Sequence, residues 1–301
     1  MKILHKESEL FTELSMLASN HYKIDVDIIK HDYFVSYVLK AIVEGVPNII
    51  FKGGTSLSKC FRKINRYSED IDLTIEENDS LTVGKLKELN RKVLNLIQEL
   101  EFEITNIEDF KSGRKNNTYI GKLDNNTFSN KIKIETFFSV KSYPKEKCFV
   151  YNYIYLYLKE IGRLDILKDY NTTPFNINVQ SKDRTFIDKT FAICDYFLRK
   201  EAERNSRHLY DLHKLVSDIE VNDKFYKLFE DVRIDRKKLA PRVNLSAQEG
   251  FNIISCLNII KEKSFYKSDY NNITNNLLFE DVSYEESVKV IDKIIDILHK
   301  V

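Results

Sequence analysis

Two glycines, a basic turn and two aspartates one residue apart stand within one stretch, FKGGTSLSKCFRKINRYSEDIDLTI, over residues 51–75. Side chains two apart on a strand project to one face, so Asp70 and Asp72 share a side while Ile71 and Leu73 take the other. Two hard oxygen donors on one face suit Mg²⁺ (or Mn²⁺), which takes one or two protein carboxylates and completes its shell with water and substrate phosphates. Gly53 and Gly54 lack a Cβ, which permits a sharp turn and close approach of a ligand, and a helix starting at Thr55 would aim its free N–H groups at phosphate. Singly, each feature has an ordinary reading: a plain turn for Gly-Gly and a solvated strand edge for D-x-D. In this order and at this spacing they read as a phosphate cradle followed by a metal clamp, which predicts chemistry on a nucleoside triphosphate.

The elements that must hold these residues follow from hydrophobic periodicity. Residues 7–20 and 26–44 predict helices, the second carrying Ile29, Phe34, Tyr37, Val38, Ala41 and Ile42 at helical spacing until Pro47 breaks the pattern. Ile49–Phe51 predicts a short buried strand, Thr55–Ile64 a helix, Ile71–Ile75 a second strand, and residues 83–100 a helix packed on the sheet. Phe102–Ile107, Thr118–Lys122 and Lys131–Phe138 alternate as further strands. On the last of these Ile132, Ile134 and Thr136 take one face, and Lys131, Lys133, Glu135 and Phe137 the other. Glu135 has two readings: a third carboxylate for the clamp, or surface charge beside two lysines.

From residue 146 the strand signals fade, apart from Phe175–Val179, and the chain turns helical, which predicts two domains, 1–145 and 146–301. Within residues 185–199 the packing set is Phe186, Ile187, Phe191, Ile193, Cys194 and Phe197, with Lys189 at another angle around the helix. Asn205 and Ser206 offer an N-cap oxygen for a helix running to about Ser217. On it Arg207 and Asp211 share a face, while Leu209, Leu212 and Val216 mark the packing side; the plain reading of the first two is an intrahelical ion pair. His208 and His213 have no metal-ligand spacing and read as structural.

The 301-residue chain carries a formal charge of +1, so it lacks the overall basicity of a nonspecific nucleic-acid binder, and any nucleic acid must meet a local patch. Lys182, Arg184, Arg199, Lys200 and Arg204 form such a run, although acidic residues interleave with them and a solvated charged face would look the same. Cys60, Cys148, Cys194 and Cys256 show no C-x-x-C spacing, which favours free thiols and a reducing, cytoplasmic setting over zinc or disulfides. The N-terminal MKILHKESELF lacks the apolar stretch of a signal peptide, and nowhere do eighteen apolar residues run together, so no membrane association is expected.

The Gly-Gly and Asp-x-Asp pattern resembles the nucleotidyltransferase superfamily typified by DNA polymerase beta. A closer resemblance is to the AbiEii/AbiGii toxin family of abortive-infection and toxin–antitoxin systems. It is carried by FKGGTSLSK (51–59), RYSEDIDLTI (66–75), the helix around DKTFAI (188–193) and RHLYDLHKL (207–215), over roughly residues 25–215. The resemblance implies an α+β fold: a polymerase-beta-like nucleotidyltransferase module with a small mixed sheet, followed by a helical C-terminal domain closing over the nucleotide cleft. It implies catalytic roles for Asp70, Asp72, Glu135, Lys189 and Asp211, with Asp70 and Asp72 as metal ligands. Glu135 departs from the Asp usual in polymerases. Lys52, Gly53, Gly54, Thr55, Ser56, Lys59 and Arg207 fall at nucleotide-binding positions, although Lys59 would equally suit a solvated helix face. The implied reaction moves a nucleoside monophosphate from an NTP to an acceptor, RNA such as a tRNA 3′ end, in a growth-arresting toxin with a cognate antitoxin. A kinase-like or protein-modifying transferase, or a noncatalytic NTP-binding partner module, would share the same phosphate clamp.

Overall fold

The computed structural model of the chain describes residues 2–76, 81–123, 131–239 and 242–299. They divide into two compact units: the N-terminal residues to Arg62 with Ser68–Val179, and the short segment Lys63–Tyr67 with the residues from Gln180 onward.

The first unit is a mixed sheet with helices. In chain order it contains α1 (Ser8–Tyr22), α2 (Val26–Gly45), β1 (Ile49–Lys52), α3 (Gly53–Lys59), β2 (Ile71–Ile75), α4 (Val83–Glu99), β3 (Phe102–Ile104), β4 (Asn116–Leu123), β5 (Lys131–Phe137), β6 (Lys145–Val150), α5 (Tyr153–Glu160) and β7 (Phe175–Gln180). The seven strands are ordered β3-β4-β5-β2-β1-β7-β6. β1 runs antiparallel to β2 and parallel to β7, β2 runs parallel to β5, and β5 antiparallel to β4. One face is apolar and buried through Phe51, Ile71, Leu73, Ile134, Tyr119 and Val179. Burying such side chains stabilises the fold by about 1.5–3 kcal/mol each. Phe11, Tyr33 and Phe34 join α1 to α2, and Phe34 meets Phe102 of β3 edge-on at 6.2 Å. This aromatic layer gives the sheet its support.

The α+β class and most of the element bounds agree with the periodicity, and three expectations need correction. α3 begins at Gly53 and ends at Lys59, not at Ile64, because Arg62 takes a left-handed backbone (φ 53°) and the chain passes into the second unit at Lys63. The strand expected over Phe102–Ile107 stops at Ile104 and gives way to a short 3-10 turn at Ile107–Asp109. Strand signals do not end at residue 146: β6 spans Lys145–Val150 at the sheet edge beside β7, so the first unit continues to Val179. Its exposed Lys145, Glu146 and Lys147 are the charged residues that sheet edges favour, and they hide the alternation.

The second unit is helical: α6 (Lys182–Leu198), α7 (Arg207–Leu215), α8 (Asp223–Lys238) and α9 (Ile253–Glu262), followed by Tyr284–Val288 and Val290–Leu298. α6 packs against α7, α8 and α9, and is therefore buried nearly all round: Phe186, Ile187, Phe191, Ile193 and Cys194 are joined in the interior by Arg184, Lys189 and Asp195. The segment Lys63–Tyr67 is fastened here by backbone bonds, Tyr67 N–H to the Leu277 carbonyl at 2.8 Å and Phe279 N–H to the Asn65 carbonyl at 2.9 Å.

The expected side-chain cap of α7 is not made. Ser206 Oγ pairs with Thr274 Oγ1 at 2.7 Å, and the Asn205 amide donates to the Glu201 carbonyl. The N–H groups of His208 and Leu209 instead close tight turns onto the carbonyls of Asn205 and Ser206, so the helix start needs no hydroxyl. Asp269 fixes the entry by accepting from the N–H groups of Arg204 and Ser206. Among the described residues, no helix is long and apolar enough to cross a membrane. Among the described residues no disulfide is formed; Cys194 and Cys256 are buried, Cys60 and Cys148 half-buried.

Candidate active site

The polar face of the first unit's sheet carries a row of charged residues set by strand register. Lys52 on β1 pairs with Asp72 on β2, and Asp72 pairs with Glu135 on β5. Paired residues point to the same side of a sheet, so the three side chains lie abreast. Glu135 thus stands beside Asp72, and Thr118 of β4 donates its hydroxyl to Glu135 at 3.4 Å. Asp70 lies one step before β2, and Lys133, two residues before Glu135, reaches both carboxylates: its Nζ is 2.9 Å from Glu135 and 3.7 Å from Asp70.

This face crowds negative charge around one atom group. Burial pushes the Asp72 carboxyl up to about 6; Lys52 opposes the rise, and the charges of Glu135 and Asp70 add to it. Gly53 is built to admit Asp72. Its φ is 78°, a region that L side chains rarely adopt, and a Cβ there would stand 2.0 Å from Asp72 Oδ2. Gly53 therefore lets the start of α3 lie against the Asp72 carboxylate.

Among the described residues no three His, Cys, Asp or Glu side chains are arranged as a ready metal cluster. The donor chemistry nevertheless fits Mg²⁺ or Mn²⁺: carboxylate oxygens on one face, with mutual repulsion that a divalent cation would relieve. Asp70 and Asp72 would hold it, with Glu135 adjoining.

The remaining predicted positions of α3 are engaged within the first unit. Ser56 Oγ donates to the Gly53 carbonyl at 2.8 Å, and Thr55 Oγ1 pairs with Ser68 Oγ at 2.9 Å, tying α3 to the approach to β2. Gly54 follows directly in the same first turn. Lys59 is neither solvated nor part of the charged row: only 4 % exposed, its ammonium pairs with Asp32 at 2.5 Å and donates to Ser36 Oγ at 2.8 Å. Asp32 also accepts from the N–H of Tyr153 at the start of α5, so this pair fastens α2, α3 and α5 together. Lys52 places its ammonium 4.3 Å from the centre of the Phe137 ring, a cation–π contact.

The second unit brings Lys189 and Asp211 together. Asp211, fully buried, accepts from Arg66 through two parallel bonds of 2.7 and 2.8 Å, and Lys189 Nζ lies 2.7 Å from the same carboxylate. Burial alone would raise the Asp211 carboxyl; Arg66 and then Lys189 hold it well below the usual range. Lys189 also contacts His208 Nδ1 at 3.2 Å, and His208 stacks on Tyr196. Asp211 therefore pairs across sequence rather than with Arg207 one turn before it. Arg207, half-buried, starts α7 and makes no ion pair among the described residues.

The basic run is largely consumed by the fold: Arg184 is buried against Asp188 at 3.0 Å, Lys182 binds Asp218 at 2.6 Å and Arg199 binds Glu201 at 2.9 Å. Two residues of the charged clusters had no role in the sequence reading. Arg66 stood inside the motif RYSEDIDLTI, where its distance from Asp70 gave no hint of a partner 145 positions away. Lys133 shared a strand face with Glu135, and only the parallel register of β5 on β2 brings it to Asp70.

The family described as "Nucleotidyl transferase AbiEii toxin, Type IV TA system" matches residues 38–289, more than four-fifths of the chain, and spans both the carboxylate face and the Arg66–Asp211–Lys189 cluster. No curated protein matches the chain. The chain belongs to the AbiEii nucleotidyltransferase toxins of type IV toxin–antitoxin systems.

Proposed function

We propose that this nucleotidyltransferase moves a nucleoside monophosphate from an NTP to RNA, the tRNA 3′ end being the acceptor that the family resemblance implies, in a metal-dependent reaction centred on Asp70 and Asp72. The observation that carries this reading is the register Lys52–Asp72–Glu135 across three strands, with Gly53 opened against the Asp72 carboxylate. A bound Mg²⁺ would supply Lewis-acid charge at the α-phosphate and acidify the attacking hydroxyl. The protein's own part is positioning and charge. Asp70 and Asp72 hold the cation, and Glu135 takes the proton of the acceptor hydroxyl. Lys52 neutralises phosphate charge beside Asp72, and the Gly53–Ser58 turn takes the outer phosphates. The family resemblance also assigns Lys189, Arg207 and Asp211 to the reaction, and Arg66 holds Asp211 in place. A cognate antitoxin is the expected partner.

The test is to incubate the protein with each α-labelled NTP, Mg²⁺ and total cellular RNA. Label is expected at the 3′ end of tRNA, and is expected to disappear with a chelator or with Asp70→Asn. Label in protein and never in RNA would discard the acceptor, and label that persists after chelation would discard the metal.

A further inference from the structure

The polar face of the sheet holds more than acids. Lys133 projects from β5 on the same side as Glu135, and the pairing of Ile71 with Ile134 sets Lys133 next to Asp70. Its ammonium lies between two carboxylates, 2.9 Å from one and 3.7 Å from the other, and its side chain is 40 % exposed. A buried lysine such as Lys59, 3 % exposed at the side chain, is fixed by its neighbours; Lys133 has a four-carbon stem open to solvent and room to swing.

We propose that Lys133 is the resident cation of the carboxylate face: it neutralises Asp70 and Glu135 in the nucleotide-free protein and yields to a divalent cation when incoming triphosphate draws its ammonium onto phosphate. This rests on the reading of Asp70 and Asp72 as metal ligands. The physical basis is competition. Even at the dielectric of bulk water, a positive charge roughly 5 Å from the site weakens binding of a divalent cation by about tenfold. A triphosphate offers the ammonium a stronger anionic partner, and withdrawing it restores the full charge of the acids. Metal binding is thereby made conditional on substrate, and Lys133 acts as a positioning residue and not as a metal ligand.

The experiment is direct Mn²⁺ binding followed by the electron paramagnetic resonance of free Mn²⁺, with and without an α,β-methylene NTP analogue. Lys133→Met keeps the stem of the side chain and removes the charge. Without nucleotide it is expected to bind Mn²⁺ about tenfold more tightly than the wild type, and the analogue should then add little. Lys133→Arg should restore wild-type behaviour. Lys131→Gln removes the same charge from the same strand face one step away, and should stay within about twofold of the wild type. Equal affinity of wild type and Lys133→Met without nucleotide would overturn the proposal while leaving the metal reading intact. If the wild type with analogue holds no more Mn²⁺ than the Asp70→Asn protein with analogue, the metal reading falls and takes the proposal with it.

Discussion

Asp72 and Asp211 are both aspartates of family motifs, and their surroundings differ in sign. Asp72 is largely buried among Asp70 and Glu135, and its carboxyl is pushed up to about 6, first by burial. Asp211 is fully buried between Arg66 and Lys189, which hold its carboxyl far down. The first surrounding has surplus negative charge and gains from a cation brought by solvent or substrate. The second already has its cations and gains from being left whole. Carboxylates with the same formal charge thus sit in opposite fields, one open to a further cation and the other already neutralised within its unit.

The largest expected effect tests the binding side of this comparison. Asp72→Asn should lower nucleotidyl transfer by about three orders of magnitude or more, while the melting temperature stays within about 3 °C of the wild type, since the change removes a crowded charge. Transfer rates under single-turnover conditions, with a thermal melt on the same sample, read both. Near-normal transfer would remove Asp72 from the chemistry.

Asp211→Asn, unlike Asp72→Asn, should lower stability. Breaking a buried pair leaves Arg66 and Lys189 facing each other uncompensated, at a cost of about 3–5 kcal/mol. A fall in the urea midpoint at unchanged slope is the readout. A variant as stable as the wild type would show that the cluster does not brace the second unit.

Acid should separate the two units next. Burial, with Lys6 adding, lowers His5 in the aromatic layer of the first unit to about 4. Below its ordinary value of about 6.5 the unfolded chain binds a proton that the folded protein refuses, so stability is complete above that pH and declines by up to about 3 kcal/mol as pH falls to about 4. The depressed Asp211 contributes fully above the ordinary carboxylate value of about 4 and is lost only as pH falls further. Denaturation curves at pH 7, 5 and 3 should therefore show the His5 contribution going first, and His5→Phe should flatten the slope between 6.5 and 4. An unchanged slope in that variant would contradict the assignment.

Gly53→Ala carries an expected cost in stability of about 1–2 kcal/mol for a left-handed backbone. Its value is diagnostic, because the added Cβ must displace the Asp72 carboxylate. Transfer should fall by about tenfold or more, for a shift of little over 1.4 kcal/mol in the barrier. Gly162→Ala makes a control: its φ is also positive, at 72°, and nothing lies within 4 Å of the added Cβ, so it should strain the backbone and leave transfer unchanged.

How legible this was in the sequence depended on whether a feature is local. β2 at Ile71–Ile75 and the alternating faces of β5 follow from period-two patterning, and α4 from its apolar stripe, so the carboxylate row could be anticipated. β6 could not, because an edge strand of Lys145, Glu146 and Lys147 has no apolar alternation to show. The end of α3 was hidden since Phe61 and Ile64 continue a helical spacing that the backbone of Arg62 interrupts. Arg66–Asp211 and Lys59–Asp32 depend on elements meeting in space, and ion pairing leaves no mark on spacing. Lys189 illustrates the same limit: its angle around α6 pointed away from the apolar set, yet neighbouring helices bury that side too.

The central claim is that the carboxylate face of the first unit breaks an NTP at its α-phosphorus. Parallel reactions with label on the α-phosphate or on the γ-phosphate, using wild type and Asp72→Asn, test it most directly. The account predicts α-label in the acceptor, γ-label released with pyrophosphate, and neither transferred by Asp72→Asn. Transfer of γ-label without α-label would contradict it and make the protein a kinase.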